Sequence, residues 1–202
     1  MAELQTKTVG PHVDSPFHLP VAELEARLRA LPGAPKDSGR LALIVCRSAE
    51  GVRETPERLH LSAEDGVPGD SWGRRTPRRA ESQLAVMRHD VAELIANGQP
   101  LTTFGDNLFV DLDISAANLP VGSRLRVGGA IVEVTPLPHD GCAKFKGRFG
   151  PDALRFVNAK PTRDQNLRGI YWMVIEPGEV AVGAPIQVLE RRAREGSEGV
   201  GE

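Results

Sequence analysis

Arg124-Leu125-Arg126-Val127-Gly128-Gly129-Ala130-Ile131-Val132-Glu133-Val134 decides the fold class of this 202-residue chain. Two runs of strand-forming residues flank a Gly-Gly pair, and a two-residue hairpin turn needs the positive φ that glycine adopts without cost. Outward from this hairpin the same texture repeats. Leu41-Ala42-Leu43-Ile44-Val45-Cys46 is a continuous apolar run of strand length, as expected of a buried central strand. Leu59-His60-Leu61, Leu84-Ala85-Val86-Met87 and Leu108-Phe109-Val110 are further short strands. A final pair, Ile170 to Ile175 and Ile186 to Leu189, brackets a Pro177-Gly178 turn. Many short strands with few helices predict a mainly β protein, an antiparallel barrel rather than a parallel α/β sheet.

Two helices stand out against this background. Val21, Leu24, Leu28 and Leu31 recur at helical spacing until Pro32-Gly33 stops the pattern. Asp90-Val91-Ala92-Glu93 reads as a capping box with Asp90 as the N-cap, followed by an apolar face of Val91, Leu94 and Ile95 and a stop at Gly98. The expected plan is an N-terminal extension over 1–39, the barrel over 40–190, and a charged, Gly-rich, disordered tail over 191–202.

Lys and Arg total 25 against 27 Asp and Glu, which argues against a nucleic-acid or acidic-membrane binder. No apolar run approaches the ~20 residues of a membrane helix, and Met1 to Gly10 lacks the apolar core of a signal peptide. Two cysteines make no disulfide framework, so a cytoplasmic protein with reduced thiols is expected.

Those cysteines sit in different settings. Cys46 ends an aliphatic run and reads as a small buried hydrophobe. Cys142 lies in Pro136-Leu137-Pro138-His139-Asp140-Gly141-Cys142-Ala143-Lys144-Phe145-Lys146, on a connection entering a helix. A helix N-terminus together with Lys144, Lys146 and Arg148 favours the thiolate, the form that attacks sulfur or ligates a metal. The plain alternative is a loop cysteine with incidental basic neighbours. His139 offers a second ligand, a base for the thiol or a turn cap, capping or exposure being the default. A zinc site is not expected, since no CxxC or HxxxH supplies further ligands.

Arg74, Arg75, Arg78 and Arg79 follow the Gly69-Asp70 turn and suit an anion such as phosphate, although a solvated basic loop has the same composition. Asn107, in the Gly105-Asp106-Asn107 turn, carries an amide that both donates and accepts toward a ligand. No Walker or GxGxxG motif indicates a nucleotide fold.

The ordered set of Gly66-Val67-Pro68-Gly69-Asp70, Gly105-Asp106-Asn107-Leu108-Phe109-Val110, Leu119 to Gly128, Val134-Thr135-Pro136 leading to Cys142, and Arg168-Gly169-Ile170-Tyr171 through Gly183 resembles the MOSC family. That family is named for the C-terminal domain of molybdenum-cofactor sulfurases, and the resemblance spans about Arg40 to Leu189. It implies a barrel of the kind shared with a pyruvate-kinase subdomain. It implies a molybdenum cofactor (molybdopterin), with the residue at Cys142 either ligating molybdenum or carrying a persulfide. Basic residues hold the pterin phosphate, a role open to Arg74, Arg75, Arg78 or Arg79, with Asp70, Asn107, His139 and Lys144 as the other pocket candidates. Where family members often carry a His after the Gly-Asp turn, this chain has Ser71-Trp72-Gly73.

The chain is too short for the pyridoxal-phosphate desulfurase domain of full sulfurases, so pyridoxal phosphate is not expected. The implied function is a molybdenum-dependent oxidoreductase that reduces N-hydroxylated compounds. The alternatives are a sulfur carrier or sulfurtransferase using a Cys142 persulfide, and a non-catalytic cofactor-binding protein. The implied partners are a small-molecule substrate and a separate electron- or sulfur-donor protein, with the chain a monomer or homodimer.

Overall fold

The computed structural model describes residues 4–6 and 15–192, with only the backbone pairing given for 4–6. In chain order come β1 (Leu4–Thr6), α1 (Val21–Ala30), β2 (Ser38–Ile44), β3 (Cys46–Ala49), β4 (Val52–Glu54) and β5 (Arg58–Leu61). Then follow β6 (Leu84–Arg88), α2 (His89–Ala96), β7 (Leu108–Asp111), β8 (Arg124–Val127) and β9 (Ala130–Val134). The chain continues with α3 (Ala143–Val157), β10 (Ile170–Glu176), β11 (Gly178–Ala181) and β12 (Pro185–Glu190).

Seven strands close into a barrel in the order β10-β6-β7-β2-β12-β8-β9. The β8–β9 hairpin forms in the expected register, Val127 opposite Ala130, so Gly128 and Gly129 are the two-residue loop. Gly128 has φ +53°, and a Cβ there would lie 2.9 Å from the Glu179 carbonyl oxygen, so both conformation and crowding demand glycine.

The barrel departs from the expected antiparallel one at a single seam, because β6 and β7 run parallel. Parallel neighbours need a crossover of a dozen or more residues, and α2 with the loop after it supplies one. Nor do the last two apolar runs pair with each other. β10 joins β6 and β9, β12 joins β2 and β8, and between them the unexpected β11 pairs with β5 outside the barrel. Pro177 is a single residue between two strands, and Gly178 already begins that extra strand.

Two apolar cores lie on either side of the barrel wall. Leu41, Ile44, Leu84, Val86, Leu108, Val110, Val132 and Trp172 belong to the one inside. Val45, Met87 and Phe109, whose neighbours in sequence point inward, belong to the outer one with Leu24, Val91, Phe104, Phe145 and Phe149. This is why β6 and β7 read as unbroken apolar runs: helices cover the face that water would otherwise reach.

α2 begins at His89, with Arg88 as the N-cap residue and Asp90 inside the first turn. The expected cap Asp90 thus lies two positions inside the helix from the observed cap Arg88, and its carboxylate accepts from the Val91 N–H and from the Arg88 guanidinium. The helix ends on Asn97 in the left-handed conformation, then Gly98. Arg191, assigned by sequence to the disordered tail, is fixed to the body through the Asn118 and Lys36 carbonyls and Asp37. Residues 193–202, the remainder of that tail, lie outside the described residues. Among the described residues no helix is long and apolar enough to cross a membrane.

Candidate functional site

A cavity of about 300 Å³ opens where β3, β4, the loop after Asp70, the Phe104-Gly105 turn and the first half of α3 meet. Arg47, Arg53, Arg75, Lys144, Arg148 and Arg168 line it, against a single carboxylate among the described residues, Asp140. Phe104, Phe145 and Phe149 form its apolar side, the Phe104 and Phe149 rings stacking with centroids 4.2 Å apart. The cavity is an electropositive hollow with an aromatic wall.

The arginines are held in different ways. Arg47 is clamped by Asp70, whose carboxylate is 1% exposed and accepts from its backbone N–H at 2.7 Å and from its Nε at 2.9 Å. Arg47 also donates to the Gly105 carbonyl and the Asn107 side chain. Burial alone would raise the Asp70 carboxyl, but its hydrogen bonds and the Arg47 charge hold it below the usual carboxylate range. Arg168 donates from Nη1 to both oxygens of the fully buried Asp106, at 3.0 and 2.8 Å, and lies over the Phe145 ring. No carboxylate among the described residues pairs with Arg53 or Arg148. Burial lowers the pKa of both, and neighbouring guanidinium charges lower it further.

Cys142 is the N-cap residue of α3, with an extended backbone and an exposed side chain. Helical spacing then sets Phe145 and Phe149 beside it along the cavity wall. The Gly141 N–H donates to the Asn158 side chain at 2.9 Å, which ties the loop before Cys142 to the far end of α3. Gly150, with φ +91°, and Pro151 break that helix. The Arg148 carbonyl exposed by the break accepts from His18 Nε2 at 3.1 Å and from the Gln99 amide.

His139 is neither an exposed residue nor a turn cap. Its side chain is 7% exposed, its ring lies 4.2 Å from that of Tyr171, and its Nδ1 is 3.6 Å from Asp106 Oδ1. Burial first, then the Arg168 charge, pushes its pKa down to about 3, so the ring is neutral. Among the described residues no three His, Cys, Asp or Glu side chains converge on a metal position.

The MOSC domain family profile matches residues 70–187 of the 202, more than half of the chain. This chain belongs to the MOSC family. No curated protein matches it significantly. Among solved structures, YuaD from Bacillus subtilis superposes with TM-score 0.57 at 17% identity, over 75% of this chain and 95% of that one. YiiM from Geobacillus stearothermophilus gives 0.54 at 16%, over 76% of each chain. YiiM from Escherichia coli gives 0.52 at 21%, over 76% of this chain and 71% of that one. At such identities the likeness is one of fold.

In this MOSC domain, Cys142, Arg75, His139 and Lys144 meet at the cavity. The other residues singled out by sequence do not line it. Asp70 and Asn107 are buried behind Arg47 and orient it. Arg74 donates to the Gly69 and Arg47 carbonyls. Arg78 pairs with Asp65 and lies over the Trp72 ring, while the Arg79 carbonyl accepts from the Trp72 indole N–H. Trp72, in the segment where family members often carry a histidine, is thus a buried prop, and its neighbour Ser71 lines the cavity. Arg47, Arg53, Asp106 and Tyr171 escaped the sequence reading as site residues. The signal for Arg47 and Arg53 was faint: an arginine just past an apolar run, and another in a short strand of mixed polarity.

Proposed function

We propose that this MOSC domain binds a molybdenum cofactor in the Arg-lined cavity and acts as an oxidoreductase that reduces N-hydroxylated compounds. The observation that carries this reading is an exposed thiol, Cys142, beside a hollow where Arg53 and Arg148 have no carboxylate partner among the described residues. Buried cations without counter-ions are costly unless an anion joins them. The Nε atoms of Arg53 and Arg168 are shut off from solvent without hydrogen-bond partners, the mark of a site whose polar groups are not all answered from within the protein.

The residues fit the group. With no three-ligand cluster among the described residues, the domain offers a metal the Cys142 thiolate, so the remaining donors would arrive with the ligand itself. Cys142 would be that ligand, while Arg53, Arg148 and Arg75 would hold the cofactor phosphate, where guanidinium forks match its oxygens. The Phe104, Phe145 and Phe149 wall gives a flat apolar surface for a ring system. When bound, the group supplies two-electron redox chemistry, and the residues around it bind, orient and exclude water. A separate protein would deliver the electrons.

The test is molybdenum content, with pterin fluorescence after oxidation, on protein from a host that synthesises the cofactor. Near-stoichiometric metal that is lost in Cys142→Ala is the expected result. Folded wild-type protein with neither metal nor pterin would sink the reading. The exposure of Cys142 also favours a second reading, a persulfide-carrying sulfur acceptor. Mass spectrometry after incubation with a cysteine desulfurase distinguishes it by a gain of one sulfur on Cys142.

A further inference from the structure

Among the described residues the cavity wall is rich in cationic donors, and beside the hydroxyls of Ser71, Ser82 and Tyr171, which donate or accept, it carries one imidazole. His139 Nδ1 is closed off from solvent, has no hydrogen-bond partner, and faces the Asp106 carboxylate at 3.6 Å. A lone pair on Nδ1 would oppose that carboxylate, so the proton sits on Nδ1 and the lone pair on Nε2. The two ring nitrogens point in different directions, which turns Nε2 away from Asp106 while the residue lines the cavity. With the ring neutral, that lone pair is a permanent acceptor. The lining also holds guanidinium groups and the Lys144 ammonium, which only donate, and the Ser71, Ser82 and Tyr171 hydroxyls, which rotate to do either and so are not fixed acceptors.

We infer that His139 makes this cavity selective for anions that carry an O–H or N–H, accepting a hydrogen bond from that group and rejecting fully deprotonated oxyanions of the same charge. A bare oxyanion seated among the arginines turns an oxygen lone pair toward Nε2 and leaves both acceptors unsatisfied. Hydrogen phosphate, a phosphomonoester monoanion, or an anion with a ring N–H satisfies it. This shares with the cofactor reading the premise that the cavity takes an anion, but it does not involve molybdenum. Asp140 is the competing acceptor. Its carboxylate is 55% exposed and 3.4 Å from Arg163, so water and that cation already answer it.

The experiment is titration calorimetry on the full chain from a host unable to make the cofactor, with inorganic phosphate and sulfate at mildly alkaline pH and fixed ionic strength. There both ions are mainly dianions of similar size and differ by one proton. Wild type should prefer phosphate by about tenfold or more, the worth of one well-made charge-assisted hydrogen bond. His139→Phe, which keeps a ring against Tyr171, should bring the ratio close to one, while Asp140→Asn leaves it unchanged. Should His139→Phe fail to fold, His139→Gln, whose amide donates as well as accepts, should show a reduced ratio. Equal binding of the two ions to wild type overturns the selectivity and leaves the anion site standing. Loss of the preference in Asp140→Asn, or its survival in a folded His139→Phe, also overturns it. Binding of neither ion overturns it together with the shared premise, and the cofactor reading then rests on molybdenum content alone.

Discussion

Cys46 and Cys142 differ in their access to solvent. Cys46 is buried, its Sγ facing the Pro68 carbonyl at 3.9 Å, and burial above all, then the Asp70 charge, pushes its pKa up to about 11. Cys142 is exposed. An alkylating reagent at neutral pH should therefore modify one thiol per native chain, with the second reacting only after denaturation; two fast thiols would contradict the burial of Cys46. Asp106 and Arg168 should show the energetics of a buried pair. Arg168→Ala strands a carboxylate without its partner, and a loss of about 3–5 kcal/mol in urea unfolding is expected. A loss under about 1 kcal/mol would mean that water reaches Asp106. His139 links stability to pH. Its folded pKa of about 3 lies below the ordinary 6.5, so between those values the unfolded chain binds a proton that the folded one does not. Stability should fall on acidification through that window, by up to ~1.4 kcal/mol per pH unit, with a shallower slope in His139→Gln. Cys142 and Lys144 were legible from their local setting. The Asp106–Arg168 pair was not, because its partners lie 62 positions apart and only the pairing of β10 and β7 on either side of β6 brings them together.

α3 is the element on which the candidate site depends, and its break is part of that. Gly150 has φ +91°, and a Cβ there would come within 3.0 Å of the His18 ring. Gly150→Ala should cost about 1–3 kcal/mol in unfolding experiments and loosen the half-helix that carries Cys142 and Arg148, lowering the phosphate affinity of the full chain. Unchanged stability would show that the His18 contact is dispensable. Elements with a local signature were readable: the Gly-Gly hairpin, and the α1 stripe that ends at Pro32. β11 was hidden because a Pro-Gly turn signal does not reveal that the residues after it pair with β5, more than a hundred positions earlier. Asp90 misled by two positions, the observed cap being Arg88, because a short acidic side chain satisfies N–H groups inside the first turn as well as at the cap.

At the scale of the molecule, two cores share one wall, and the outer core reaches the N-terminal segment through Leu24, which is 1% exposed. Leu24→Ala should cost about 2–5 kcal/mol by urea denaturation, a value near zero meaning that α1 contributes nothing to the fold. The barrel has a consequence for how the chain is made. It closes where β2, complete at Ile44, meets β12, which starts at Pro185 and also pairs with β8. On the ribosome every other barrel strand emerges before the one that locks the cylinder. Until it arrives, two strand edges stay open to any passing chain, so the nascent protein is most prone to aggregate just before β12 emerges.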